Sequence, residues 1–226
     1  MVAFRFDDAT GKWGQESAIE GFHPLNRPQR TASGNWVMGG QYGLIFPHVA
    51  ISHGDDLTQW DVVEIPSGPE HKVNFAETSL VVERDTITAY VRTDTELLHV
   101  SESTDGGRSW RRLAASNLQV STSKTCAGVL STGQRYLAFN MREPDTHLWS
   151  RNALAIAVSA PGERSFQKIV LVRNGKAPAY RVPGFAKGPQ WSYPSVEEYG
   201  GNVYIAYTVT KEDCCLSVLP LSEFGV

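Results

Sequence analysis

One turn recurs along this chain at a spacing of about fifty residues, and that period constrains the fold more than any other feature. Trp110 closes "STDGGRSW", which begins at Ser103 and carries Asp105, Gly107 and Ser109. Trp60 closes a looser version, "SHGDDLTQW", Phe166 a degenerate one, "SAPGERSF", and Trp13 closes "DDATGKW". The intervals are 47, 50 and 56 residues. Hairpins lie between these turns and align when Gly34, Asp85, Gly133 and Gly201 are placed in register. Eight residues before each turn stand Asn26, Glu77, Thr125 and Tyr193; seven after stand Gln41, Arg92, Asn140 and Thr208.

The segments around these turns are short and alternate apolar with polar residues, as in "SLVVERDTITAYVR", "YLAFN", "ALAIAVS" and "NVYIAYT". They are rich in Val, Ile, Tyr and Thr and bounded by Gly, Asp, Pro and Ser, which reads as strands joined by tight turns. No amphipathic helix stands out, so the class is all-β. Four copies of a four-stranded unit predict a β-propeller. The first strands of such blades line one channel, so Asn26, Glu77, Thr125 and Tyr193 are expected at equivalent positions around it. Polar groups converging in a concavity make a site.

The Asp105 turn itself reads as structure. One carboxylate is too few for calcium, which takes about six to eight oxygens, and no Gly-Lys-Ser/Thr leads into a helix as a phosphate loop requires. Asp and Gly suit a tight turn, and Trp110 is expected to pack into the blade beneath. A net charge of −3 gives no argument for nucleic acid or a membrane surface. No run approaches the ~20 apolar residues of a spanning helix, and the start, "MVAFRFDDATGKW", shows no signal-peptide core. The compartment is left open. Three cysteines, Cys126, Cys214 and Cys215, build no disulfide framework, and no Cys/His spacing suggests a metal. No cofactor is expected.

"STDGGRSW" resembles the Asp-box of the sialidases. Three further segments resemble that family: "ETSLVVERDTITAYVR", "FNMREPDTHLWSRNALAIAVS" and "WSYPSVEEYGGNVYIAYT". The resemblance runs from about Gly21 to the end of the chain. It implies an exo-acting glycosidase for a terminal acidic sugar, with Tyr193 as nucleophile and Glu77 as its base. Sialic acid carries a carboxylate on the anomeric carbon, which repels an anionic nucleophile. A tyrosine, neutral until a base assists it, avoids that repulsion. Arg92 and Arg151 are then arginines that clamp the substrate carboxylate by bidentate, charge-assisted bonds. Asn140, Asn26 and Thr125 join the pocket, with Arg27 and His23 as further candidates.

Each residue also has a bland reading: Tyr193 as rim or core, Glu77 as a solvated strand end, Arg92 as its surface partner, Arg151 as a loop cap. The family also uses a third arginine and an aspartate acid; Arg27, Arg30, Asp55, Asp56 and Asp61 are the nearest residues to those roles, and none fits the pattern. A six-bladed ring needs roughly 300 residues, whereas this chain of 226 supplies about four blades and a part. A single domain over 1–226, lacking N-terminal blades or completed by self-association, is therefore expected. A non-catalytic propeller binding glycan or protein, and a hydrolase or lyase for uronic-acid glycans, stay open beside the sialidase reading.

Overall fold

The computed structural model describes residues 1–225. Strands β1 (Val2–Asp7) and β2 (Lys12–Ala18) form a two-stranded hairpin. The first blade holds β3 (Phe22–Pro24), β4 (Gln29–Arg30), β5 (Trp36–Tyr42), β6 (Phe46–His53) and β7 (Asp56–Glu64), in the order β3-β5-β6-β7 with β4 also on β5. The second holds β8 (Thr78–Glu83), β9 (Thr86–Val91), β10 (Leu97–Ser103) and β11 (Ala114–Gln119), in the order β11-β10-β9-β8. The third runs β12 (Cys126–Val129), β13 (Arg135–Asn140), β14 (Leu154–Ser159) and β15 (Phe166–Arg173). The fourth has three strands, β16 (Trp191–Tyr199), β17 (Asn202–Val209) and β18 (Asp213–Pro220). The sheets are antiparallel meanders, as short polar turns between alternating strands dictate. By contact density the chain divides into two compact units: Met1–Val91 with Val100–Ala114, and Arg92–His99 with the chain from Ala115 onward.

Each unit has its own core. In the first, Val37, Val49, Ile51, Leu80, Ile87 and Val91 pack together with Trp110 against them. In the second, Leu154, Ile156 and Val158 meet Val203, Ile205 and Tyr207. The alternation in "NVYIAYTV" is realised: Val203, Ile205, Tyr207 and Val209 are buried while the residues between them are half-exposed. "LAIAVS" is buried at every residue, which suits a strand covered on both faces.

The four aligned turns each join the first and second strands of a blade. Gly34, Gly133 and Gly201 have φ of 92°, 80° and 76°, a region that L side chains avoid. At the remaining turn Arg84 takes the left-handed conformation, beside Asp85.

The Asp105 turn is a structural clip. Asp105 Oδ1 accepts from the Ser103 hydroxyl at 2.8 Å and the Ser109 N–H at 2.9 Å. Burial pushes this carboxyl up, but the hydrogen bonds from Ser109 and Ser103 outweigh it and hold the carboxyl at about 2. Trp110 Nε1 donates to the Gly107 carbonyl at 2.8 Å. Gly107 has a φ of 92°, and a Cβ there would stand 3.3 Å from Ile51 and 3.4 Å from Ile87, so the turn sits directly on the core. The looser copy repeats the device. Trp60 Nε1 donates to the Leu57 carbonyl at 2.8 Å, and Asp56 accepts from the Thr58 N–H at 2.9 Å.

Two expectations need correction. Trp13 is not a clip: it is 69% exposed and touches only the Phe6 ring among described aromatic contacts, at 5.2 Å. Its turn has the right chemistry, with Asp7 accepting from Ala9 N–H and Thr10 hydroxyl, but the two-stranded hairpin gives the indole nothing to pack beneath. The first strand of the first blade is also broken. Asn26 lies between β3 and β4, in "PLNRP", where Pro24 and Pro28 lack the N–H a ladder needs.

Candidate functional site

The second unit holds five of the expected residues: Arg92, Thr125, Asn140, Arg151 and Tyr193. Arg92 follows β9 and is 4% exposed; Arg151 precedes β14 and is 7% exposed. Both reach one residue, Thr122. Arg92 Nε donates to the Thr122 hydroxyl at 3.1 Å, and Arg151 Nη2 donates to the Thr122 carbonyl at 3.1 Å. Arg151 Nη1 also donates to Gln190 Oε1 at 2.8 Å. Guanidinium groups so buried require such partners, because desolvating an ion is costly. The Trp149 ring lies 5.3 Å from the Arg92 guanidinium carbon, and the Tyr193 ring 5.6 Å from that of Arg151. Lys211 Nζ is also 5.6 Å from the Tyr193 ring centre. These are cation–π distances.

Tyr193 stands on an irregular backbone. Ser192 pairs with Thr208 but Ser195 pairs with Ala206, so two residues of β16 occupy the space of one. This is a β-bulge, a device that re-aims a side chain. Tyr193 itself has a φ of 58°, which costs about 1–3 kcal/mol for a side-chain-bearing residue held there. The bulge is fastened on both sides. Lys124 Nζ donates to the Pro194 carbonyl at 3.2 Å, and Asn140 Nδ2 donates to the Trp191 carbonyl at 2.8 Å. Asn140 therefore uses its amide to hold the backbone two residues from the phenol. Thr125 is buried, next to Lys124.

The first unit carries the other candidates. Glu77, 7% exposed, immediately precedes β8. Asn26 donates to Ser79 Oγ at 3.0 Å, tying the first blade to the second. Arg27 is exposed, and so is His23, whose Nδ1 is 3.2 Å from the Gly43 carbonyl. Arg30 pairs with Asp55 at 3.0 Å, and Asp55 also accepts from Trp36 Nε1. Asp61 contacts His53 at 3.1 Å and Arg108 at 3.4 Å. Asp55, Asp56 and Asp61 thus serve surface pairs and a turn.

Reading the sequence missed Thr122, Asp94, Trp149, Gln190 and Lys211. Four lie in loops without periodicity, and Lys211 lies in the β17–β18 turn. The one available signal was the run "STSKT", Ser121 to Thr125, dense in hydroxyls just before a strand. Two buried guanidinium groups held on one threonine, with a phenol against the second, can hold an anion beside that phenol.

A family model described as "BNR repeat-like domain" matches residues 6–205. No curated protein matches the chain in sequence. Among solved structures, the chain is similar to the NanB sialidase of Streptococcus pneumoniae bound to 2-[(3-chlorobenzyl)ammonio]ethanesulfonate, at 13% identity and a TM-score of 0.65, covering 93% of this chain and 34% of that one. It is similar to the intramolecular trans-sialidase of Ruminococcus gnavus in complex with oseltamivir carboxylate, at 16% identity and a TM-score of 0.62, covering 88% and 44%. A Hadza microbial sialidase matches at 16% identity and a TM-score of 0.68, covering 98% and 44%. The chain spans between a third and a half of these solved chains. At such identities the likeness shows the fold, a sialidase-like β-propeller of antiparallel blades.

Proposed function

Because the chain belongs to the BNR repeat-like domain family, we propose that it is a sialidase-like exo-glycoside hydrolase acting on a terminal acidic sugar, sialic acid or a relative. One observation carries this reading: Arg92 and Arg151 meet at Thr122, and the Tyr193 ring lies against Arg151. The ligands named for two of the similar structures carry a sulfonate and a carboxylate, each an anionic group. The partner is a carbohydrate. Arg92 and Arg151 take the sugar carboxylate, since guanidinium and carboxylate match in geometry and charge.

Tyr193 attacks the anomeric carbon as its phenolic proton passes to Glu77; the glycosidic C–O bond breaks and the leaving oxygen takes a proton from solvent water. Water then cleaves the tyrosyl–sugar bond and configuration is retained. Glu77 is the base for Tyr193, the role that the resemblance assigns. Asn140, Asn26, Thr125, Arg27 and His23 are the further substrate-binding residues of this reading. In the test, the chain is assayed for release of an aryl group from an aryl α-sialoside. Turnover that vanishes in Tyr193→Phe and in Glu77→Gln is expected. Absence of turnover in the unaltered chain, with N-acetylneuraminic acid still bound, replaces the hydrolase with a glycan-binding propeller; absence of both turnover and binding overturns the reading.

A further inference from the structure

We propose that Thr122 is a positioning residue that sets the spacing and orientation of the two carboxylate-binding arginines; this rests on the sialidase-like reading above. Thr122 is 1% exposed and bonds in four directions. Its hydroxyl accepts from Arg92 Nε at 3.1 Å and donates to Asp94 Oδ1 at 2.9 Å. Its carbonyl accepts from Arg151 Nη2 at 3.1 Å. Its N–H donates to the Leu148 carbonyl at 3.0 Å, next to Trp149, whose ring covers Arg92.

The donor roles follow from chemistry. A guanidinium N–H can only donate, so the hydroxyl must spend its single proton on Asp94 and turn a lone pair to Arg92. Asp94 thereby locks the rotor that aims Arg92. Side chain and main chain of one residue then hold two guanidinium groups at a fixed separation. A planar carboxylate is bound tightly only by donors already in place, because ordering long side chains on binding costs affinity.

Thr122→Val keeps volume and backbone and removes the hydroxyl, so it deletes the bond that aims Arg92 Nε while the carbonyl bond to Arg151 remains. Thr122→Ser restores the hydroxyl. Two readouts on the 226-residue chain test this. The first is the Kd for N-acetylneuraminic acid by titration calorimetry; the expected loss in Thr122→Val is about tenfold, the usual order for a hydrogen bond to a charged group, with Thr122→Ser within about twofold of the unaltered chain. The second is the Arg92 Nε–H signal in NMR without ligand, expected to be sharp in the unaltered chain and Thr122→Ser and lost to exchange in Thr122→Val. If the unaltered chain binds and Thr122→Val binds equally well with the Arg92 signal unchanged, Thr122 has no positioning role. A chain that binds no N-acetylneuraminic acid overturns the sialidase-like reading and this role with it.

Discussion

Asp105 and the Arg92–Arg151 pair are both charged groups fixed by short hydrogen-bond networks, and the networks differ in kind. Asp105 sits in a turn whose Ser103 and Ser109 donors converge on it and stabilise its charge, to the point that the carboxyl titrates at about 2. Arg92 and Arg151 bond to a hydroxyl, an amide oxygen and a backbone carbonyl. These bonds, among those described, fix the direction in which each guanidinium points. The first arrangement spends its charge on the fold; the second, on the proposed reading, aims donors at a ligand carboxylate.

Removing a charge from each place should therefore have opposite consequences. The largest effect is expected from Arg151→Ala. It should weaken N-acetylneuraminic acid binding by about a hundredfold, as loss of a charge-assisted donor pair implies, and calorimetric titration reads it. Asp105→Ala should leave that affinity unchanged and lower Tm by about 2–4 °C, from ~1 kcal/mol once exposure and screening of the turn are discounted. An affinity loss in Asp105→Ala as large as that in Arg151→Ala would break the distinction.

The pH dependence sharpens it. The Asp105 carboxyl is depressed in the folded chain from 3.8 to about 2. Its stabilisation is therefore complete above the unfolded value and is lost as pH falls from about 4 through about 2. Acid titration followed by circular dichroism should show part of the low-pH loss missing in Asp105→Asn. The smallest effect is expected for Asp56→Ala in the looser clip. Asp56 there accepts from Thr58 alone among its described bonds and is likewise lowered by it. Its Tm should fall by less than that of Asp105→Ala; an equal fall would mean that the second clip bears as much of its blade.

Blade number and hairpin register were legible because turn chemistry is local. Gly34, Gly133 and Gly201 need positive φ whatever surrounds them, and Asp105 carries its donors within four residues. Trp13 shows the limit. Its turn resembles the others in sequence, but whether an indole is buried depends on strands the turn does not contain. The break at Asn26 was written in Pro24 and Pro28, and hairpin alignment alone passed over it. Arg92, Arg151, Asn140 and Tyr193 were singled out through register and family resemblance. Thr122, Asp94 and Gln190 meet them only because loops of irregular sequence cross there, and such loops carry no period to read. The bulge at Tyr193 was hidden for a related reason: β16 keeps its apolar alternation through Pro194 and Val196, so the extra residue shows only in the pairing with β17.

That bulge also bears on how the chain changes over generations. At a φ of 58°, glycine or asparagine is the residue that backbone preference favours. A tyrosine there is held against a steady thermodynamic pull, and on the proposed reading the demand on its phenol opposes that pull. In a lineage released from the demand, codon 193 is where drift toward Gly or Asn should begin, well before the blades themselves erode. On that reading, the identity of this one residue works as a clock for how recently a chain of this kind needed its nucleophile.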